Sequence, residues 1–148
     1  MKALIQRVKS AAVSVNNVKV GSISAGLLVF MGVHHSDTHQ QVKKCVQKIL
    51  DLRIFNDENN KMNISCRDLQ HDILLVSQFT LYGNCSKGRR PSYVEAASPE
   101  LAQRLYNEMI NEFEREYKPI QTGRFQAHME IDLINDGPVT LMLEEYSS

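Results

Sequence analysis

Apolar positions along the chain follow two periods. From Ala3 to Val15 they alternate loosely, through Val8, Val13 and Val15, and Asn16-Asn17 then turns the chain into a second such run, Val18 to Ile23. Alternation on either side of an Asn pair predicts a β-hairpin. Gly26 to Val33 is apolar without alternation, as expected of a strand covered on both faces, which places it at the centre of a sheet. After His34-His35-Ser36 the period becomes helical. Val42, Cys45, Val46, Ile49 and Leu50 share one stripe while Lys43, Lys44 and Lys48 face water. Asp37, followed three residues later by Gln40, predicts the N-cap of this helix. Arg53-Ile54-Phe55 reads as a short strand and Asn56 to Lys61 as a polar turn. The turn's carboxylates hint at calcium, but it lacks the central glycine and closing glutamate of a calcium loop.

A strand is expected from Ile73 to Leu81, most hydrophobic at Ile73 to Val76, and it leads into a long loop, Tyr82 to Ala97, containing Gly83, Gly88 and Pro91. Loops of that length inside a domain are usually functional or mobile. Ser98 at N-cap and Pro99 at N1 open a second helix, whose Leu101, Leu105, Met109, Phe113 and Tyr117 step by four until Pro119 ends it. Ala127 to Ile134 and Val139 to Glu145 close the chain as two strands. There is no internal repeat, linker or low-complexity stretch, so residues 1–148 read as a single α/β domain: a mixed sheet with two long amphipathic helices.

Composition narrows the function classes. Hydrophobic residues make up 43% and charged residues 23%, ordinary for a soluble globular protein, and the 17 basic residues balance the 17 acidic ones. With no global positive field, any RNA contact must come from a local patch. Cys45, Cys66 and Cys85 are odd in number, widely spaced and without a C-x-x-C pair, as suits reduced thiols in a cytoplasmic protein. The basic start of the chain lacks the apolar block of a signal peptide, and the apolar run from Gly26 to Val33 is too short to span a bilayer. The expectation is a soluble, cytoplasmic protein that does not engage membranes.

Conventional catalytic sets are missing. Cys45 lies on the helical stripe and reads as a core thiol, and nothing in the spacing pairs Cys85 with a histidine. His34, His35 and His39 read as polar surface, so no metal is expected. No Gly-rich phosphate loop or nucleophile elbow appears. What remains are Ser77, Gln78 and Thr80, where a buried strand ends, together with Thr140: hydroxyls and an amide without an obvious base.

Thr140 closes the segment Asn135-Asp136-Gly137-Pro138-Val139-Thr140. Proline has no N–H for a ladder, so a Gly-Pro step at a strand edge interrupts pairing and presents a bare carbonyl. The step fits a bulged turn, and it also admits a cis peptide, which costs an X-Pro bond only about 0.5–1 kcal/mol. Together, Ser77-Gln78-Phe79-Thr80-Leu81 and Asn135-x-Gly137-Pro138-Val139-Thr140 resemble the paired signature of the D-aminoacyl-tRNA deacylases, the chirality-checking hydrolases of translation. The similarity runs from Gln6-Arg7-Val8 through Lys87-Gly88-Arg89-Arg90-Pro91-Ser92 and Thr122-Gly123-Arg124-Phe125 to Thr140, nearly the whole chain.

The resemblance implies a homodimer that hydrolyses D-aminoacyl-tRNA, and glycyl-tRNA with it, without a metal or organic cofactor. It implies a cis Gly137-Pro138 bond inserted from one subunit into the other's pocket, where its carbonyls hold the substrate's α-amino group and leave no room for an L side chain. In the family the chemistry is thought to lean on the RNA's own hydroxyl. The backbone N–H groups of Phe79 and Thr80 are then candidates for oxyanion contacts, and Gln78 for placing water or ester, beside Ser77 and Thr140. Arg7 is a candidate brace for the Gly-Pro carbonyls. Phe125 and Met129 lie in a segment like the family's pocket for the terminal base, and Lys87, Arg89 and Arg90 are candidates for acceptor-end phosphates. Two other readings stay open: a non-catalytic tRNA-end or nucleotide binding module, and a hydrolase acting on a different ester through Thr80 or Thr140.

Overall fold

The computed structural model describes residues 1–147. Along the chain lie β1 (Lys2–Val15), β2 (Val18–Ile23), β3 (Gly26–Gly32), α1 (His39–Asp51), β4 (Phe55–Asn56), β5 (Met62–Ile64) and α2 (Cys66–Leu69). There follow β6 (Asp72–Ser77), a 3-10 turn (Phe79–Tyr82), α3 (Pro99–Glu116), β7 (Gln121–Thr122) and β8 (Glu130–Glu144). Strand β1 governs the rest because its alternation changes phase once, at Lys9, an extra residue between the pairs Val8–Asn135 and Ser10–Ile134. Ala3 and Ile5 enter one core, while Val8, Ala11 and Val13 enter another on the opposite face. A one-residue slip in a period of two sends every later side chain to the other side.

Asn16 and Asn17 both take positive φ, 50° and 64°, the geometry of a type I′ hairpin turn, and set Val15 opposite Val18. The sheet runs β2-β1-β3-β6-β7, with β3–β6 and β6–β7 parallel, and β8 pairs antiparallel with β1. The continuous apolar run thus occupies the interior position expected of it. Leu27, Val29 and Met31 face the first core and Leu28 the second. The two ends of this strand order come together: a Cβ at Gly21 of β2 would lie 2.8 Å from the Thr122 carbonyl oxygen of β7 and 3.4 Å from Leu74. Only glycine fits that approach, and the sheet consequently curls almost into a barrel around the second core. Helices α1 and α3 cover the first core with their predicted stripes, Val42, Cys45, Val46, Ile49 and Leu50 from one and Leu105, Met109 and Phe113 from the other.

Several local expectations are corrected. Thr38, not Asp37, caps α1, in a capping box with Gln41 instead of Gln40. The Asp37 carboxylate has been drawn elsewhere, to the Met1 ammonium at 2.9 Å and the His34 N–H at 2.7 Å. The strand expected to reach Leu81 stops at Ser77, because Gln78 leaves the ladder (φ −147°, ψ 81°) and the next four residues coil into the 3-10 turn. That turn packs against β3 at Gly32, where a Cβ would meet Leu81 and Tyr82 within 3.2 Å. The two expected C-terminal strands are one strand, since both halves pair with β1. The short strand read at Arg53-Ile54-Phe55 is instead Phe55–Asn56, paired with β5, and the turn between them is closed by Asp57, whose carboxylate accepts from Asn59, Lys61 and Asn63. Among the described residues no helix is long and apolar enough to cross a membrane.

Candidate active site

At the end of β6 the main chain is pinned by the Gln78 N–H, which donates to the Met31 carbonyl at 2.7 Å. Beyond it the 3-10 turn closes through Leu81 N–H to Gln78 O (3.2 Å) and Gly83 N–H to Thr80 O (2.9 Å). The leading N–H groups of such a turn, at Phe79 and Thr80, have no acceptor inside it. The Gln78 side-chain amide donates to the Thr80 hydroxyl, so the two candidate side chains are already coupled.

A cavity of about 680 Å³ opens here, lined by Ser77, Gln78 and Phe79 on one side and by Phe125 and Met129 on the other. Phe125 packs on Tyr106 with ring centroids 5.9 Å apart, and Met129 packs on the second core beside Gly123, so both are half-buried with one side left to the cavity. Four alanines, Ala96, Ala97, Ala102 and Ala127, widen it. Tyr93 and His128 also line it and were not singled out from the sequence. Their signal was weak: one lies in a loop of unknown course and the other is a lone histidine beside Met129.

No carboxylate, lysine or cysteine lines this cavity, and among the described residues His128 forms no hydrogen bond with Ser77, Gln78 or Thr80. A paired nucleophile and base is therefore not assembled. The thiols are elsewhere: burial pushes Cys45 up to about 12 and Cys66 up to about 11, and Cys85 is exposed in the loop after the 3-10 turn. Neither buried thiol supplies a thiolate near neutral pH.

The second motif is a bulge in β8. Gln6 pairs with Thr140 and Val8 with Asn135, so the four residues 136–139 stand opposite Arg7 alone. Arg7 is only 6% exposed and its guanidinium binds two main-chain carbonyls and one side chain: Nε donates to the Asp136 carbonyl at 2.9 Å, and Nη1 to the Ile54 carbonyl at 2.8 Å and the Asn56 side-chain oxygen at 3.3 Å. It thus braces the segment through the carbonyl before Gly137, and the Asp136 carboxylate lies 3.3 Å from Nε. Asn135 staples the base of the loop, donating to the carbonyls of Arg7 (3.0 Å) and Val139 (3.1 Å). In the sequence Asn135 stood only as the first residue of the Asn-x-Gly-Pro-Val-Thr motif, with no role given to its side chain. The Gly137–Pro138 peptide is cis, and both residues are exposed.

Within one chain the two motifs are apart. Ser77 pairs beside Met31 and Arg7 beside Leu27, positions about 13 Å apart along β3, with β1 and β3 lying between the bulge and β6. Neither Gly137 nor Pro138 lines the cavity, and Thr140 accepts from the Gln6 side chain at 3.0 Å on the bulge side. Lys87, Arg89 and Arg90 sit in a loop closed by the Asn84–Ser92 main-chain bridge (2.8 and 2.9 Å); all three are exposed and form no ion pair among the described residues.

A near-barrel mixed sheet flanked by two helices, with a largely apolar cavity at a strand end, defines a class of α/β protein whose members comparison with known proteins identifies. The family model described as D-Tyr-tRNA(Tyr) deacylase matches residues 4–144. The chain is 52% identical over 144 residues to the D-aminoacyl-tRNA deacylase of Thermosipho africanus (strain TCF52B), covering 97% of both, and 49% identical over 148 residues to that of Clostridioides difficile (strain 630), covering 100% of this chain and 99% of the relative. A solved structure of a c-Myc DNA Unwinding Element Binding Protein superposes with a TM-score of 0.94 at 39% identity, over 99% of this chain and 100% of that one. A probable eukaryotic D-amino acid tRNA deacylase shares the fold, with a TM-score of 0.85 at 18% identity over 96% and 97% of the two chains. The chain belongs to the D-Tyr-tRNA(Tyr) deacylase family.

Proposed function

We propose that this protein hydrolyses the ester of D-aminoacyl-tRNA, releasing the D-amino acid and free tRNA, and that it works as an isologous homodimer. The observation that carries the reading is the cavity joining Gln78 at the strand end to Phe125 and Met129, in a chain of this family. The terminal adenosine packs on Phe125 and Met129, which brings the ester to Gln78. A water held by the Gln78 side chain attacks the ester carbonyl, and the N–H groups of Phe79 and Thr80 donate to the oxyanion that forms. The ribose oxygen leaves with the proton lost by the water, passed with help from the vicinal ribose hydroxyl. An aminoacyl ester is already activated, so positioning and oxyanion stabilisation suffice without a metal or organic cofactor.

Chirality is sorted by Gly137 and Pro138 of the partner subunit, whose carbonyls accept from the substrate's ammonium while the main chain blocks an L side chain. A backbone wall rejects by clash, where a flexible side chain would yield. Two features support a second copy as its bearer: within one chain the bulge is too distant to reach the cavity, and β8 is an edge strand with Ile134, Leu141 and Met142 exposed on either side of the bulge. Glycine, lacking a side chain, passes the wall, so glycyl-tRNA is also hydrolysed. Lys87, Arg89 and Arg90 meet acceptor-end phosphates.

Turnover of D- and L-charged tRNA by the purified protein tests the reading. Release of D-amino acid in large excess over L is the expected result, and binding without release would leave a tRNA-end binding module instead. Thr80→Ala keeps its backbone N–H and removes one neutral hydrogen bond, so turnover should fall by no more than about tenfold. An acyl-enzyme trapped on Thr80 or Thr140 would replace positioning with covalent catalysis and point to a different esterase.

A further inference from the structure

Beside the groups already assigned, the cavity mouth carries two aromatic rings. Phe79 is 55% exposed and Tyr93 39% exposed, and they meet edge to face with centroids 5.2 Å apart and planes inclined at 64°. Exposed apolar residues scattered singly are ordinary; a fixed pair at the mouth of a cavity is not. Both rings are held from behind. Phe79 belongs to the 3-10 turn, and Tyr93 follows directly on the Asn84–Ser92 bridge and packs so closely on Gly83 that a Cβ there would lie 3.0 Å from its Cε1. An edge-to-face pair covers only one edge and one face, leaving ring surface free for a third flat group.

We propose that Phe79 and Tyr93 form a stacking platform for the base preceding the terminal adenosine of the RNA. The inference rests on the aminoacyl-tRNA reading and extends it by one nucleotide. With the terminal base against Phe125 and Met129, the RNA strand leaves through the mouth, where Phe79 and Tyr93 are exposed aromatic rings of the lining. The loop that ends at Tyr93 carries Lys87, Arg89 and Arg90, exposed and without acidic partners among the described residues, so cations for the phosphates lie in the same loop. Aromatic rings beside free cations are the general means of holding single-stranded nucleic acid, and each stacked base contributes about five- to a hundredfold in affinity. The charge argues for nucleotide over the amino acid's own side chain, which brings no phosphate.

Calorimetric binding of uncharged cytidylyl-adenosine and of adenosine, to the wild type and to Tyr93→Leu and Tyr93→Phe, tests the platform apart from catalysis. The ratio of dinucleotide to nucleoside affinity should drop about tenfold in Tyr93→Leu and recover in Tyr93→Phe. Taking the ratio cancels any general damage to the cavity. An unchanged ratio in Tyr93→Leu overturns the platform, as does an equal loss for both ligands, which would place Tyr93 against the adenosine itself. Absence of D-amino acid release by the wild type would sink the deacylase reading while this binding ratio still decided the platform.

Discussion

Replacing Asp136-Gly137-Pro138-Val139 with a single valine should bring the rates on D- and L-aminoacyl-tRNA to within about tenfold of each other, from an expected preference of about a thousandfold. One residue would then face Arg7, as in an uninterrupted antiparallel ladder between Gln6–Thr140 and Val8–Asn135. Valine keeps an apolar side chain where the buried Val139 now contributes to the core. A thousandfold preference corresponds to about 4 kcal/mol, within reach of one steric overlap plus one unpaired ammonium. Both would be lost together with the bulge, and L substrates would gain as D substrates lose their ammonium contact. Parallel kcat/KM measurements on the two substrates, with circular dichroism to confirm the fold, read the result. A folded variant that kept its thousandfold preference would show that chirality is sensed elsewhere in the cavity.

How much of this was legible in the sequence depends on how local each signal is. The Asn16-Asn17 turn, the stripes of α1 and α3 and the interior place of β3 follow from residues within one element, and each appears where its pattern put it. The phase change at Lys9 was invisible because it shows only in the pairing with β8, more than a hundred residues away, where Val8 meets Asn135 and Ser10 meets Ile134 with no residue between them on β8. The same distance explains why residues 127–145 read as two strands: Gly-Pro does interrupt pairing, yet both flanks return to one partner strand. At the candidate site, the polar cluster following a buried run pointed to the strand end where Ser77 and Gln78 line the cavity, but the strand's early stop was not legible. That depends on Gly32, in a different strand, leaving room for the 3-10 turn. Tyr93 and His128 reach the cavity only through loop courses that carry no periodicity.

Asp37 illustrates the same limit on the stability side, and it supports the other large expected effect: Asp37→Asn should lower stability by about 3–5 kcal/mol, the cost of breaking a buried ion pair by removing one partner. The Met1 ammonium and the Asp37 carboxylate are 2.9 Å apart with side-chain exposures of 0% and 1%, and the ammonium also donates to the Glu145 carbonyl. The pair ties the start of β1 to the turn before α1 and to the end of β8. Asparagine matches aspartate in shape and can still accept from the His34 N–H, so the loss isolates charge from packing. Urea unfolding at fixed protein concentration near neutral pH measures it, the concentration being held because the midpoint of the proposed dimer would depend on it. Acetylating the Met1 amine in the wild type should cost a similar amount, and doing both should cost little more than either alone, because neighbours that share one interaction do not add. A loss below about 1 kcal/mol in Asp37→Asn would mean that water reaches the pair and screens it, as it does for ion pairs at an open surface.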